Sequence, residues 1–266
     1  MIALSALHYY PLKSCKGLAL EQATLDQRGL VHDREFMVVD EAGAFLTQRE
    51  LPRLALITPT MSDGLLTLSA PGTAPLTFHY GNDGPRLEAA IWRDTVVAVD
   101  QGEAASTWLT GFLQTTPVRL MRLADEFTRQ VNQQYAPRTT DQVGFADGFP
   151  LLLISEASLA DLNARLEKPL PMNRFRPNLV VAGCGPYAED SWKQIRIGGL
   201  VFDIVKPCAR CVTTTTNQDT AERGKEPLRT LATYRHVPHR GAMFGQNVVH
   251  ASTGMIRVGD EVEVMA

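Results

Sequence analysis

Two cysteines with two residues between them raise the first chemical question in this chain. Cys208 and Cys211 lie in KPCARCVTTTT, Lys206 to Thr216, with Arg210 directly before the second thiol. A structural zinc site needs four ligands, usually two close pairs. Only one pair exists here: Cys15 and Cys184 stand alone, and His236 and His239 belong to a separate segment, RHVPHR. A redox dithiol needs its cysteines at a helix start after a strand, whereas VTTTT favours extended chain. The pair also reads as two buried, inert thiols. Against that stands Arg210, because a guanidinium beside Cys211 would lower its pKa. A thiolate is the form required of a nucleophile or a soft-metal ligand. With Lys206 close by, one thiolate among cations suits an anionic metal cofactor.

Further cations sit where strands begin or end. YYPLKSCKG places Lys13, Ser14 and Lys16 after a strand-like run. HDREF places Arg34 before the next strand, and NRFRPN places Arg174 and Arg176 before NLVV. Each alone reads as a surface charge. Together, beside hydroxyl and amide neighbours, they are equipment for phosphate. Neither a GxxxxGK[ST] nor a GxGxxG motif is present, so any phosphate must be held by separate loops. In FADGFP, Asp147 reads as an acid/base, a substrate contact or a turn residue, and Gly148 permits close approach of backbone to a ligand. In FGQN, Gln246 and Asn247 read as amide contacts to a heterocycle or as turn hydrogen bonds.

These residues need a scaffold, and composition bounds it. The chain has 266 residues, 44% hydrophobic and 21% charged, with a formal net charge of −3. That is the profile of a soluble globular protein of one large or two intimate domains. It gives no case for a nucleic-acid polymer or a membrane surface as partner, so any basic site is local. Four cysteines are too few for a disulfide framework and point to a reducing cytoplasm. The N-terminus has no basic region or cleavage site of a secretion signal. No apolar run approaches the ~20 residues of a membrane helix.

Most segments read as short strands: ALSALHYY, EFMVVD, AFLTQ, LALITPT, LLTLS, LTFHY, AAIWRDTVVAVD, NLVVAG, KQIRI, LVFDIV, VVHAS, MIRVG and EVEVM. DEAG and Gly198-Gly199 read as hairpin turns. Three helices are expected, in EAASTWLTGFL, in SEASLADLNARL capped by Ser155, and in EPLRTLATYR with Pro227 in the first turn. Their apolar stripes read as core seams. The sum is a mainly β chain built as barrels or sandwiches with a few packed helices. A domain boundary falls within residues 95–145, where RLADEFTRQVNQQYAPRTTDQVGFADG reads as a long functional loop.

In this order, YPLKSCKG, DREFMVVD, LTQRELPRL, SEASLADLN, FRPNLVVAG, YAEDSW, KPCARC, EPLRTLATYR, FGQNVV and IRVGDEVEV resemble the blocks of the MOSC family of molybdenum-cofactor proteins. The branch resembled is that of the mitochondrial amidoxime-reducing components and their bacterial counterparts. The resemblance runs nearly end to end. It implies two intimate β-barrel-like domains: a MOSC N-terminal domain over 1–95 and a MOSC barrel over 96–266.

It also implies a molybdenum–molybdopterin cofactor whose metal is ligated by Cys211, with Cys208 a bystander. Lys13, Ser14, Arg34, Arg176 and Arg210 would hold phosphate and pterin. Gly148 and Phe149 would offer backbone groups, with Ala209 standing where some relatives have serine. Asp147 would lie near the open metal face and share the catalytic role with Cys211. The implied activity is two-electron reduction of small N-hydroxylated compounds: amidoximes, hydroxylamines and N-hydroxylated nucleobases. The alternative is a non-catalytic carrier of the cofactor or of sulfur. Some relatives append a ferredoxin domain that this sequence lacks, so a separate iron–sulfur or flavin electron donor is expected. So is a cytoplasmic, bacterial setting.

Overall fold

A computed structural model describes all residues, Met1 to Ala266. The chain is mainly β. The largest sheet runs, from edge to edge, through Val262–Val264, Gln194–Ile197, Leu200–Ala209, Gly241–His250, Leu151–Ser155, Leu179–Ala182, Ala3–Tyr9 and Leu18–Leu20, with His236–Val237 added on Gly241–His250. Its pairings are antiparallel except the parallel pair Leu151–Ser155 and Leu179–Ala182. N-terminal and C-terminal strands therefore share one sheet. A second sheet orders Phe36–Asp40, Val118–Leu123, Asp94–Asp100 and Arg86–Ile91. Two three-stranded sheets complete the architecture: Thr58–Ser62, Leu65–Ala70 and Thr73–His79, and Gly254–Arg257, Gln22–Asp26 and Gly29–Leu30.

The side-chain period of two explains why some strands are apolar throughout. Phe36 and Val38 enter one core with Leu54, Leu66, Leu109 and Phe112. Met37 and Val39, pointing the other way, enter another with Ile91, Val96, Met121 and Phe145. Leu151 and Leu153 likewise join the core inside the large sheet, while Leu152 and Ile154 pack outside it on Phe175, Leu231 and Phe244. A strand buried on both faces reads as a continuous apolar run. Each such side chain stabilises the fold by about 1.5–3 kcal/mol relative to exposure.

Ser155 caps helix Glu156–Ala164, its Oγ accepting from the Ser158 amide at 3.1 Å. Ala105, Leu109 and Phe112 of helix Glu103–Leu113 are buried as the seam requires. The Gly198-Gly199 turn forms, with both residues at positive φ. Four local readings change. LALITPT begins as a 3-10 turn, Pro52–Leu56, and becomes strand only at Thr58. AFLTQ makes isolated bridges at Ala44 and Phe45 and no strand. Pro227 caps helix Leu228–Tyr234 from outside its first turn. The threonine run after Cys211 is not extended: Val212–Thr215 is a 3-10 turn. The reason is local hydrogen bonding. The Thr214 hydroxyl donates to the Cys211 carbonyl at 2.9 Å, and that of Thr215 to Val212 at 2.8 Å. Such back-bonding outcompetes β propensity.

The long segment between Leu123 and Leu151 has no helix or strand, as expected of a loop. It is nonetheless anchored. Val131, Val143 and Phe145 are buried, and so is Arg129, which donates to the carbonyls of Gly144 at 2.8 Å and Ala146 at 2.6 Å and pairs with Asp94 at 2.8 Å. This anchoring delivers Asp147, Gly148 and Phe149 to a defined place.

Candidate cofactor and substrate cleft

The five chain segments that carry the expected site residues meet at one cleft of about 160 Å³. Lys13 and Ser14 follow strand Ala3–Tyr9, and Arg34 precedes Phe36–Asp40. Asp147, Gly148 and Phe149 precede Leu151–Ser155, Arg176 precedes Leu179–Ala182, and Ala209, Arg210 and Cys211 end Leu200–Ala209. All ten site residues expected from the sequence line this one cleft. Cys208 and Asn247 line it too, whereas Gln246 turns away, its Nε2 donating to Asp190 at 2.6 Å. Two other expected cations are elsewhere. Lys16 is paired with Asp219 at 2.9 Å in the exposed surface, and Arg174 is buried, donating to the carbonyls of Thr214 at 2.9 Å and Thr215 at 2.8 Å. Arg174 thus holds the turn that follows Cys211.

Ser14, Arg34 and Arg176 all have left-handed backbones, with φ of 67°, 48° and 57°. Non-glycine residues there cost of order 1–3 kcal/mol each and persist only where the surroundings over-determine them. The surroundings do so. Arg34 donates from its amide to the Tyr10 carbonyl at 2.7 Å, and its guanidinium binds Asp33 and Asn178 Oδ1. Arg176 Nη1 donates to the Cys15 carbonyl at 2.5 Å. Both guanidinium groups stack on the Tyr10 ring, at 4.1 and 4.3 Å. Burial, with Arg34 nearby, brings the Arg176 pKa down to about 10.

The two cysteines are asymmetric, though not in the way their order along the chain suggests. Arg210 does not face Cys211. Its Nη1 donates to Cys208 Sγ at 2.9 Å and its Nη2 to the Phe175 carbonyl at 2.6 Å, while its Nε is buried with no partner. Burial alone would push the Cys211 thiol up. Hydrogen bonds from the Thr213 hydroxyl and amide, and the charge of Arg49, outweigh it and bring the pKa below the ordinary thiol value. Arg49 lies in the block LTQRE, and nothing local to that block singles it out; its guanidinium sits 4.5 Å over the Trp92 ring.

Asp147 accepts from Lys13 Nζ at 2.5 Å and from the Trp92 indole at 3.3 Å. Desolvation opposes its charge, but Lys13 and Arg49 hold the carboxyl well below the usual range. Lys13 is buried, its other contact the Phe145 carbonyl at 2.8 Å, and burial lowers its pKa.

The donor set suits a polyanion. Lys13, Arg34, Arg49, Arg176 and Arg210 line the cleft, and Asp147 is the acid among the lining residues. Arg210 Nε lacks a partner, and a Cβ added at Gly148 would meet no protein atom within 4 Å. A thiol biased toward thiolate adds a soft ligand. Phosphate oxygens on the cations and a soft metal on Cys211 are what these groups can hold.

Residues 1–116 match the MOSC N-terminal beta barrel domain, and residues 140–263 match the MOSC domain. Over 98% of its length the chain is 39% identical to mitochondrial amidoxime-reducing component 1 of Mus musculus and 37% identical to that of Homo sapiens, spanning 82% of each. It is 34% identical to mitochondrial amidoxime reducing component 2 of Bos taurus, again over 98% of this chain and 83% of that protein. With both domains present and similarity of this extent, the chain belongs to the MOSC-domain family that contains the mitochondrial amidoxime-reducing components.

Proposed function

We propose that this protein is a molybdenum-cofactor-dependent reductase of N-hydroxylated compounds. The observation that carries the reading is the conjunction of Cys211, whose pKa Thr213 and Arg49 lower, with a five-cation cleft in a chain similar end to end to proteins named for amidoxime reduction. The bound cofactor would supply the two-electron chemistry that turns N–OH into N–H and water, with two protons taken up. The protein's part is orientation and charge.

Cys211 would be the metal ligand, its thiolate favoured by Thr213 and Arg49. Arg34, Arg176 and Arg210, with Ser14 and the Gly148–Phe149 and Ala209 backbone, would hold the phosphate and pterin. Lys13 would hold the cleft's acid in place. At neutral pH Asp147 is an acceptor, so in this reading it orients a substrate N–H and does not protonate the leaving oxygen. Protons then reach that oxygen from water or from Lys13 Nζ. Electrons would come from a separate ferredoxin-like or flavin-containing donor. No helix is long and apolar enough to cross a membrane, and we place the protein in a bacterial cytoplasm. The proposal also divides the chain into an N-terminal and a MOSC unit near residues 95–145.

The test is elemental analysis of protein from a cofactor-competent host, with benzamidoxime reduction by an artificial electron donor. Stoichiometric molybdenum with turnover is expected. Bound molybdenum without turnover of any amidoxime or hydroxylamine would favour a carrier, and protein without molybdenum would overturn the reading.

A further inference from the structure

Beyond the cleft lies a wider hollow of about 620 Å³, sharing with it Asp147, Gly148, Phe149, Cys208, Ala209 and Asn247. The two border each other at these six residues, with Cys211 lining the narrow one and Trp92 the wide one. Trp92 sits in the turn between strands Arg86–Ile91 and Asp94–Asp100, with a left-handed backbone at φ 58°. A bulky residue in that conformation is uncommon in any turn. Its ring is not in a core either: the residue is 46% exposed.

Three contacts fix the indole all the same. Phe45 packs on it with centroids 5.0 Å apart, Arg49 lies 4.5 Å over the ring, and the N–H reaches Asp147 Oδ1 at 3.3 Å. The chain thus holds a large apolar ring in place beside the cleft, with Arg49 over it and the residue still 46% exposed. A second aromatic group, Tyr135 with Phe149 6.1 Å from it, also borders the hollow. Rings fixed in advance cost a ligand little ordering entropy and offer their faces to flat π-systems.

We infer that Trp92 is a stacking platform that makes the protein select flat aromatic N-hydroxylated substrates over aliphatic ones. The inference rests on the reductase reading above and deepens it: the ring of the substrate lies in the hollow and its N–O group reaches into the narrow cleft toward Cys211.

The experiment compares kcat/KM for benzamidoxime and acetamidoxime in cofactor-loaded wild type, Trp92→Ala and Trp92→Phe. In Trp92→Ala the benzamidoxime/acetamidoxime ratio should fall about tenfold, the scale of one aromatic contact, chiefly through KM for benzamidoxime. Trp92→Phe, which keeps a ring but loses the N–H to Asp147, should retain most of the ratio. An equal loss for both substrates would assign Trp92 to holding Asp147 and Arg49 alone, and an unchanged ratio would remove the platform; either overturns the inference. Binding of benzamidoxime, followed by NMR titration, is the second measurement. About tenfold weaker binding in Trp92→Ala supports the platform even if wild type turns over neither amidoxime, a result that would sink the reductase reading alone. Equal binding by both proteins overturns the inference.

Discussion

The guanidinium of Arg210 donates to Cys208 Sγ at 2.9 Å, leaving Cys211 to the hydrogen bonds of Thr213 and the charge of Arg49. The two thiols of one short motif are therefore served by arginines more than 150 residues apart in sequence. Cys208 is tied to Arg210, and Cys211 to Thr213 and Arg49.

Substituting the two cysteines should separate their roles. Cys211→Ser is expected to lower amidoxime reduction by at least about 100-fold, because oxygen is a poor replacement for a soft thiolate donor. The melting temperature should hold, since the change is nearly isosteric and partly exposed. Cys208→Ala should cost no more than about tenfold, because Arg210 keeps its bond to the Phe175 carbonyl. Activity and molybdenum content per chain are the readouts.

Thr213 and Arg49, not Arg210, should lower the pKa of Cys211. In cofactor-free protein the rate of iodoacetamide labelling at Cys211, resolved by mass spectrometry, should rise with pH at a midpoint below that of a free thiol. Removing a positive neighbour disfavours thiolate, so Arg49→Gln should move that midpoint up. Arg210→Gln should leave it nearly where it was. The opposite ranking would return the sequence expectation to favour.

The Lys13–Asp147 pair carries a pH signature. Asp147 has a folded pKa below its unfolded value of about 4, so its stabilisation is complete above that value and lost as pH falls through the lower folded one. With its side chain 63% exposed, solvent screening limits the pair to about 1 kcal/mol. Urea unfolding should find Asp147→Asn less stable than wild type by that amount from pH 5 to 8. The gap should close below about pH 4. Two parallel pH profiles down to pH 2.5 would contradict the assignment.

Arg174 should behave as a structural residue. Arg174→Met strands two buried carbonyls, those of Thr214 and Thr215, at a cost of about 3 kcal/mol. Amide exchange over residues 212–216 should accelerate with it. Arg174→Lys should recover less than half, since an ammonium lacks the planar fork that reaches both oxygens. A variant of unchanged stability with weakened cofactor retention would instead make Arg174 a phosphate ligand.

Much of this protein was legible before any coordinate was known. Strands such as Phe36–Asp40 and Leu200–Ala209 announce themselves through β-branched and aromatic content, and Ser155 through its capping position, because these are properties of a few neighbouring residues. The motif resemblance carried the ten cleft residues from Lys13 to Cys211. Local reasoning failed where a residue's partner was remote or its hydrogen bonds unusual. The threonine run turned into a 3-10 segment because its hydroxyls bond back to the Cys211 and Val212 carbonyls and Arg174 binds the next two. Arg49, Trp92 and Arg129 look like ordinary surface residues in the sequence.

Sequence by itself determined that the chain is mainly β, that its cations stand at strand ends, and that KPCARC is the stretch whose residue types could do chemistry. Tertiary structure alone decided which arginine faces which sulfur, that Lys13 meets Asp147 across 134 positions, and that Trp92 looks over the cleft. The reason is physical: propensity and pattern act over a few residues. Charge pairing and ring stacking depend on distances of a few ångströms, which only the closing of the sheets sets.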